Sequence, residues 1–371
     1  MSLQEEIEAR RRLIKTDSYS MSIGELMSIY QNNELDLHPE FQRFFRWSLP
    51  QKTKLIESIM LGIPLPPVFV SQRQDGVWDV IDGLQRLSTI FQFAGILLDN
   101  DGNKVERLKL SKAKYLPSLE NKIWESKGDD KDDDCLTQQQ RIDIRRSKID
   151  VNIIQRESNK DTKYDMFERL NTGGTPLSEQ EVRNCLLIMT NREFYKSFES
   201  LANNPDFQES VTLTDRAREE RYDMELITRF IVLRHSEIGA LAARDDVNTF
   251  ITEKLVDLAS GDFDFAVETA RFEKTFRIIN SALADNAFKK YVVEKSRYSG
   301  GFLVSVFEMI AIGLGQNVDA WADEVRAQER VKEVSKIIWH DVRFTSHQGS
   351  GVRGSSRIPH TIPLGAELFA A

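Results

Sequence analysis

The chain has 371 residues, with 50 Lys and Arg against 58 Asp and Glu for a formal charge of -8, and 40% of it is apolar. That length predicts two or three domains, or one large domain with an appendage, and the balance predicts globular folding and excludes collagen-like repeats, a coiled-coil rod and wholesale disorder. It equally excludes a protein that coats nucleic acid by bulk electrostatics, so any phosphate site is local.

The first residues mix Glu5, Glu6 and Glu8 with Arg10, Arg11 and Arg12, predicting a polar helix within 1–19 and lacking the apolar stretch of a secretion signal. Residues 22–30 read as a short helix and 39–47 as a loop dense in aromatics and arginine. Residues 52–61 place Leu55, Ile56, Ile59 and Met60 on one helical face, ended by Gly62 and Pro64. Two apolar runs, 68–70 and 77–81, flank Asp75-Gly76 and predict a β-hairpin. A helical period restarts at 85–94 with Leu87, Ile90, Phe91 and Ala94 on one side. The polar stretch 99–148 reads as an insertion, its acidic run 129–134 a solvated loop, before a strand at 149–154. A helix over 161–170 ends at Asn171-Thr172-Gly173-Gly174, and Ser178 with Glu181 forms a capping box for the next.

Beyond Glu193 strand signals nearly vanish. Amphipathic helices carry Leu226, Ile227, Phe230 and Ile231; then Phe250, Ile251 and Leu255; then Phe265, Phe272, Phe276 and Ile279. The apolar stretch 301–315 is too short to cross a bilayer, is interrupted by Glu308, and reads as a buried helix. The expected organisation is an N-terminal helix (1–19), an α+β domain (20–192) with its insertion, an all-α domain (193–344) and a Gly/Ser/Arg-rich tail (345–371). Cys135 and Cys185 are the only cysteines, which excludes a disulfide scaffold or a four-cysteine zinc site and suits a reducing cytoplasm.

Three segments carry candidate chemistry. A strand running into Asp82-Gly83-Leu84-Gln85-Arg86 and then a helix makes an anion site, since a helix start exposes unpaired N–H groups and the positive end of its dipole. Arg86 adds a bidentate contact, Ser88 and Thr89 are further donors, and Asp82 caps the helix, holds a metal or orients water. The alternative is a plain turn with Asp82 as cap and Arg86 as a surface charge. In Phe41-Gln42-Arg43-Phe44-Phe45-Arg46-Trp47, aromatic faces beside guanidinium groups suit a nucleobase with phosphates nearby, or else anchor the core. Asn171 and Gly173 either present N–H groups to an oxyanion or simply close a helix.

In order, Phe41-Gln42-Arg43 with Trp47, Leu55-Ile56-Glu57-Ser58-Ile59 with Gly62-Ile63-Pro64-Leu65-Pro66, Ile81-Asp82-Gly83-Leu84-Gln85-Arg86-Leu87-Ser88-Thr89 and Arg169-Leu170-Asn171-Thr172-Gly173-Gly174 resemble the N-terminal domain of GmrSD modification-dependent restriction systems, in the ParB and sulfiredoxin-like superfamily. The resemblance spans about residues 20–190. It implies a ParB/sulfiredoxin-like α+β domain that binds nucleoside triphosphate with Mg2+ and in several members hydrolyses it. Asp82, Gln85, Arg86 and Arg43 are then the catalytic set, Asp82 the metal ligand, and Gln42, Gly83, Ser88, Thr89, Asn171 and Gly173 the nucleotide-binding residues. Leu84 departs from the common Gln of the family, which makes hydrolysis a separate question from binding.

The expected role is a cytoplasmic NTPase acting as sensor or regulatory component of a restriction or phage-defence system on DNA. Contact with DNA is direct or through a separate nuclease subunit, homo-oligomerisation is possible, and there is no membrane association. The competing roles are a non-hydrolysing, nucleotide-switched DNA-binding or partner-binding module and a stand-alone nuclease. His235, His340, His347 and His360 form no recognisable HNH pattern.

Overall fold

The computed structural model describes residues 2–11, 15–37, 47–99, 101–126, 134–155, 178–241, 246–349 and 351–371. The chain divides into two compact units, Met1–Pro176 and Leu177–Ala371. The first is α+β and the second mainly helical. Among the described residues no helix is long and apolar enough to cross a membrane.

In the first unit α1 (Leu3–Arg11) precedes β1 (Thr16–Ser22), so strand replaces the later part of the helix expected over 1–19. Only Met21 of β1 is buried, and a polar edge strand carries no apolar period by which sequence could announce it. Its backbone pairs antiparallel with β5 (Lys148–Ile154), from Thr16 opposite Ile154 to Ser22 opposite Lys148. With β2 (Leu35–Asp36), which follows α2 (Ile23–Gln31), and with β3 (Val68–Gln72) and β4 (Trp78–Asp82), these form a mixed sheet of order β1-β5-β3-β4-β2. The β3–β4 hairpin is the predicted one: Gly76 takes φ +90° and Arg73 N donates to the Val77 carbonyl at 2.9 Å.

One face of the sheet is core. Val68, Val70, Val80 and Val151 alternate inward and pack with Ile56 of α3 (Leu49–Met60) and with Leu87 and Phe91 of α4 (Leu84–Phe93). The segment expected as a polar insertion contributes Leu108, Leu110, Leu119 and Trp124 to this same core. Among the described residues only isolated bridges, Leu98 with Lys104 and Ile123 with Cys135, stand in for a ladder there. Buried Glu57 instead accepts the backbone N–H groups of Tyr115 and Leu116 at 2.6 and 2.8 Å, and Thr53 Oγ1 accepts that of Ser111 at 3.0 Å.

In the second unit the helix Glu179–Thr190 packs on Arg192–Ala202, Tyr222–Arg234 and Val247–Ser260. Phe207, Phe230, Phe272 and Phe276 form its aromatic centre, with the Phe272 and Phe276 rings 4.5 Å apart. A short hairpin, Lys290–Val292 with Arg297–Ser299, is an exception to the all-α expectation. The apolar stretch 301–315 is buried helix with a π-turn at Glu308–Ile312. Within it, fully buried Glu308 pairs with Arg229 and Arg357. The tail is not a loop throughout: Gly354–Leu368 is a helix whose Ile358, Ile362 and Leu364 are buried. It lies so close to the π-turn that a Cβ on Gly365 would overlap the Met309 carbonyl oxygen.

Candidate functional site

The central candidate is the turn from β4 into α4. A register shift between Phe69 and Val70 leaves Val70 opposite Val80 but Phe69 opposite Asp82, so Ile81 is the extra residue of a β-bulge. The bulge turns Asp82 to the face that Phe69 occupies, away from Val80. Gly83 follows with φ +100°, a left-handed position that a side chain adopts only under strain. A Cβ there would lie 2.8 Å from Val68 Cγ2. The glycine is therefore required by β3 and by the left-handed turn themselves.

Gly83 is the N-cap of α4, and no side chain among the described residues caps the helix. Leu87 N donates back to the Gly83 carbonyl at 2.9 Å, closing the first turn. Asp82 does not act as cap. Its Oδ2 accepts from Arg86 Nη2 at 2.8 Å, while Arg86 Nη1 donates to the Pro66 carbonyl and, at 3.1 Å, to that of Pro67. The Arg86 side chain is 11% exposed and that of Asp82 41%. Burial lowers the Arg86 pKa, partly offset by the charge of Asp82 and its hydrogen bond. Arg86 is thus neither a surface charge nor a guanidinium with a free fork. It ties the start of β3 to the end of β4 and fixes one oxygen of Asp82, whose Oδ1 has no hydrogen bond among the described residues.

The other predicted residues divide by position. Gln85 lies in the first turn of α4, partly buried. Ser88 and Thr89 are fully buried, and Thr89 donates its hydroxyl to the Gln85 carbonyl at 2.7 Å. Ser88 Oγ has no hydrogen-bond partner among the described residues. At a rise of about 1.5 Å per residue, Ser88 lies about 6 Å along the axis from Leu84, one turn into the helix. Gln42, Arg43, Asn171 and Gly173 lie outside the described residues, as does most of the acidic run; Trp47 packs at the edge of the core. Among the described residues no group of three or more His, Cys, Asp and Glu is placed to hold a metal ion. Of the histidines, His235 contacts Glu268 at 3.1 Å and His347 stacks on His360.

Two features were missed by sequence reading. The Pro66 and Pro67 carbonyls anchor Arg86, and the proline pair was the available signal, because proline offers a carbonyl but no N–H. A shallow depression also lies on the outer sheet face, lined by Thr16, Asp17, Ser18, Phe69, Asn152 and Ile154. Asn152, a polar residue inside an apolar strand, was its only trace.

The match to known proteins falls on this same region. Neither a curated protein nor a solved structure matches the chain. Residues 23–188 match the family model described as GmrSD restriction endonuclease, N-terminal domain, a span that holds β2 to β5, α3, α4 and the Asp82–Arg86 turn. Residues 23–188 are thus a domain of the GmrSD restriction endonuclease N-terminal domain family.

Proposed function

We propose that the first unit binds a nucleoside triphosphate with Mg2+ at the start of α4 and hydrolyses it. In this reading the protein is the sensing or regulatory component of a restriction or phage-defence system acting on DNA, and the unit belongs to the ParB/sulfiredoxin-like class. The family match supports the restriction setting. The observation that carries the nucleotide reading is Asp82: one oxygen fixed by Arg86, the other without a hydrogen bond among the described residues, directly ahead of a helix whose N-cap is glycine.

The positive end of a helix dipole favours phosphate oxygens. The residues fit Mg2+ in the way that ion is commonly held, through one or two carboxylates with substrate phosphates and water completing the shell. Asp82 is the carboxylate in question, and the ion when bound would neutralise phosphate charge. Arg86 keeps Asp82 in place, Gly83 lets the chain turn, and Gln85 lies at the helix start to position a water or phosphate oxygen. Gln42, Arg43, Asn171 and Gly173 enter this site by family resemblance alone. Exposed Arg145, Arg146 and Lys148 offer a basic strip for DNA, with cutting supplied by a separate nuclease subunit.

The test is phosphate release by the purified full chain with each triphosphate and Mg2+, beside Asp82→Asn. Release that disappears in the variant supports the proposal. Tight binding without release makes the protein a nucleotide-gated switch, and absence of binding overturns the reading. Plasmid nicking by the pure wild type, lost in Asp82→Asn, would instead indicate a stand-alone nuclease.

A further inference from the structure

We infer that the depression beside Asp82 receives the base of the same nucleotide, with Phe69 as its stacking surface and Asn152 as the side chain that reads its edge. The inference rests on the start of α4 being the phosphate site. Strand register provides the connection. Asp82 lies opposite Phe69, Phe69 opposite Asn152, and Asn152 opposite Ser18, so these residues form one row across β4, β3, β5 and β1. Alternation puts Phe69, Asn152 and Ser18 on the face opposite Val68 and Val151, and the bulge adds Asp82 to that face. Without the extra residue Ile81, Asp82 would share the inward face of Val80 and the row would end at Phe69.

The distance is that of a mononucleotide. Neighbouring strands lie about 4.8 Å apart, so Asn152 is about 10 Å across the sheet from Asp82, with Phe69 between them. A nucleotide whose phosphates lie at the start of α4 has its ribose and base over Phe69 and the base edge at Asn152. The depression encloses about 370 Å3, within the range of small-molecule sites.

Its chemistry suits a base better than a phosphate. Phe69 is partly exposed and makes no ring contact among the described residues, which suits it for stacking. The Asn152 amide has no hydrogen bond among the described residues, and an amide presents a donor and an acceptor side by side, the pattern along a base edge. No Lys or Arg is among the described lining residues to meet a phosphate, so the uncharged end of the ligand is the end that enters.

The test compares binding of each nucleoside triphosphate with binding of inorganic tripolyphosphate, which has the charge but no base, using the full chain with Mg2+. Phe69→Ala is expected to weaken nucleoside triphosphates on the order of tenfold, from the loss of one stacked base, and to leave tripolyphosphate unchanged. Phe69→Tyr restores the stack. Asn152→Asp exchanges the donor for a second acceptor and is expected to reorder the preference among bases. Both positions are partly exposed, and unchanged thermal unfolding shows that the variants fold. Wild-type affinity and base order in Phe69→Ala and Asn152→Asp would overturn the inference while leaving the phosphate site standing. Failure of the wild type to bind tripolyphosphate or any nucleotide would overturn both.

Discussion

Arg86 holds Asp82 from one helical turn away, Nη2 to Oδ2 at 2.8 Å, while its Nη1 reaches the carbonyls of Pro66 and Pro67. One guanidinium thus joins the carboxylate to the loop that begins β3. Removing it in Arg86→Ala leaves carbonyls and a carboxylate without their donor. Because Pro66 is exposed and water can take its place, the expected loss of stability is only about 1–2 kcal/mol. The functional loss should be larger, since Asp82 would no longer be fixed. On the proposed function, phosphate release should fall more than about tenfold in Arg86→Ala, and the affinity for nucleotide with Mg2+ lost in Arg86→Ala with Asp82→Asn should be no greater than that lost in Asp82→Asn alone, as for residues acting as a unit. Additive losses in the double variant would show that Arg86 meets the ligand independently.

Gly83 provides a test in which ligand plays no part. At φ +100° an alanine bears backbone strain of about 1–3 kcal/mol, and its methyl also meets Val68. Gly83→Ala should therefore lower the urea midpoint of the first unit. Val68→Ala in the same chain removes the overlap but not the strain, so it should recover only part of the loss that Gly83→Ala adds. A Gly83→Ala variant as stable as wild type would mean that the turn relaxes and that α4 begins elsewhere.

The hairpin, α3, α4 and β5 were legible because each carries its own local signal: Asp75-Gly76 for the turn, a helical apolar period for Leu55, Ile56 and Ile59, and a run of branched residues at 149–154. The strand-to-helix turn at Asp82-Gly83 was legible for the same reason. What escaped depends on partners distant in sequence. β1 is a strand only because β5 offers it a backbone edge, and the 99–126 segment is ordered by Glu57 and Thr53 of α3. The Phe69–Asn152 row requires both a register and a bulge, neither of which a single strand displays. Arg86 looked like a phosphate ligand because nothing in its own segment reveals the Pro66 and Pro67 carbonyls.

The tail shows tertiary packing overriding local preference. Pro359 and Pro363 lie inside the helix Gly354–Leu368, where each lacks the N–H of a helical hydrogen bond, yet Ile358, Ile362 and Leu364 are buried around them. Arg357 adds bonds to both oxygens of Glu308 at 2.7 and 3.0 Å. Truncation before Gly354 should expose the apolar surface of the π-turn region and leave Glu308 with Arg229 alone. We expect loss of cooperative unfolding in the second unit and rapid proteolysis within it. A truncated chain with the wild-type melting profile would show that this helix is dispensable.

Acid should act on the second unit through Glu225. Burial alone would raise its pKa, but the charges and hydrogen bonds of Arg229 and Arg183 outweigh it, and the result lies below the ordinary 4.5. A carboxylate with a depressed folded-state pKa contributes stability that is fully present above its unfolded value. That stability is lost as pH falls through the folded value. The second unit should therefore hold its stability through neutral pH and lose it below about 4.5, by up to about 1.4 kcal/mol per pH unit for each proton taken up. Glu225→Gln should cost about 3–5 kcal/mol at neutral pH, because Arg183 and Arg229 lose a buried counter-charge. Its stability should also fall less steeply with acid, since one proton-linked group is gone. Urea unfolding of both proteins from pH 7 to 3 reads the two slopes, and equal slopes would remove Glu225 as a source of acid sensitivity.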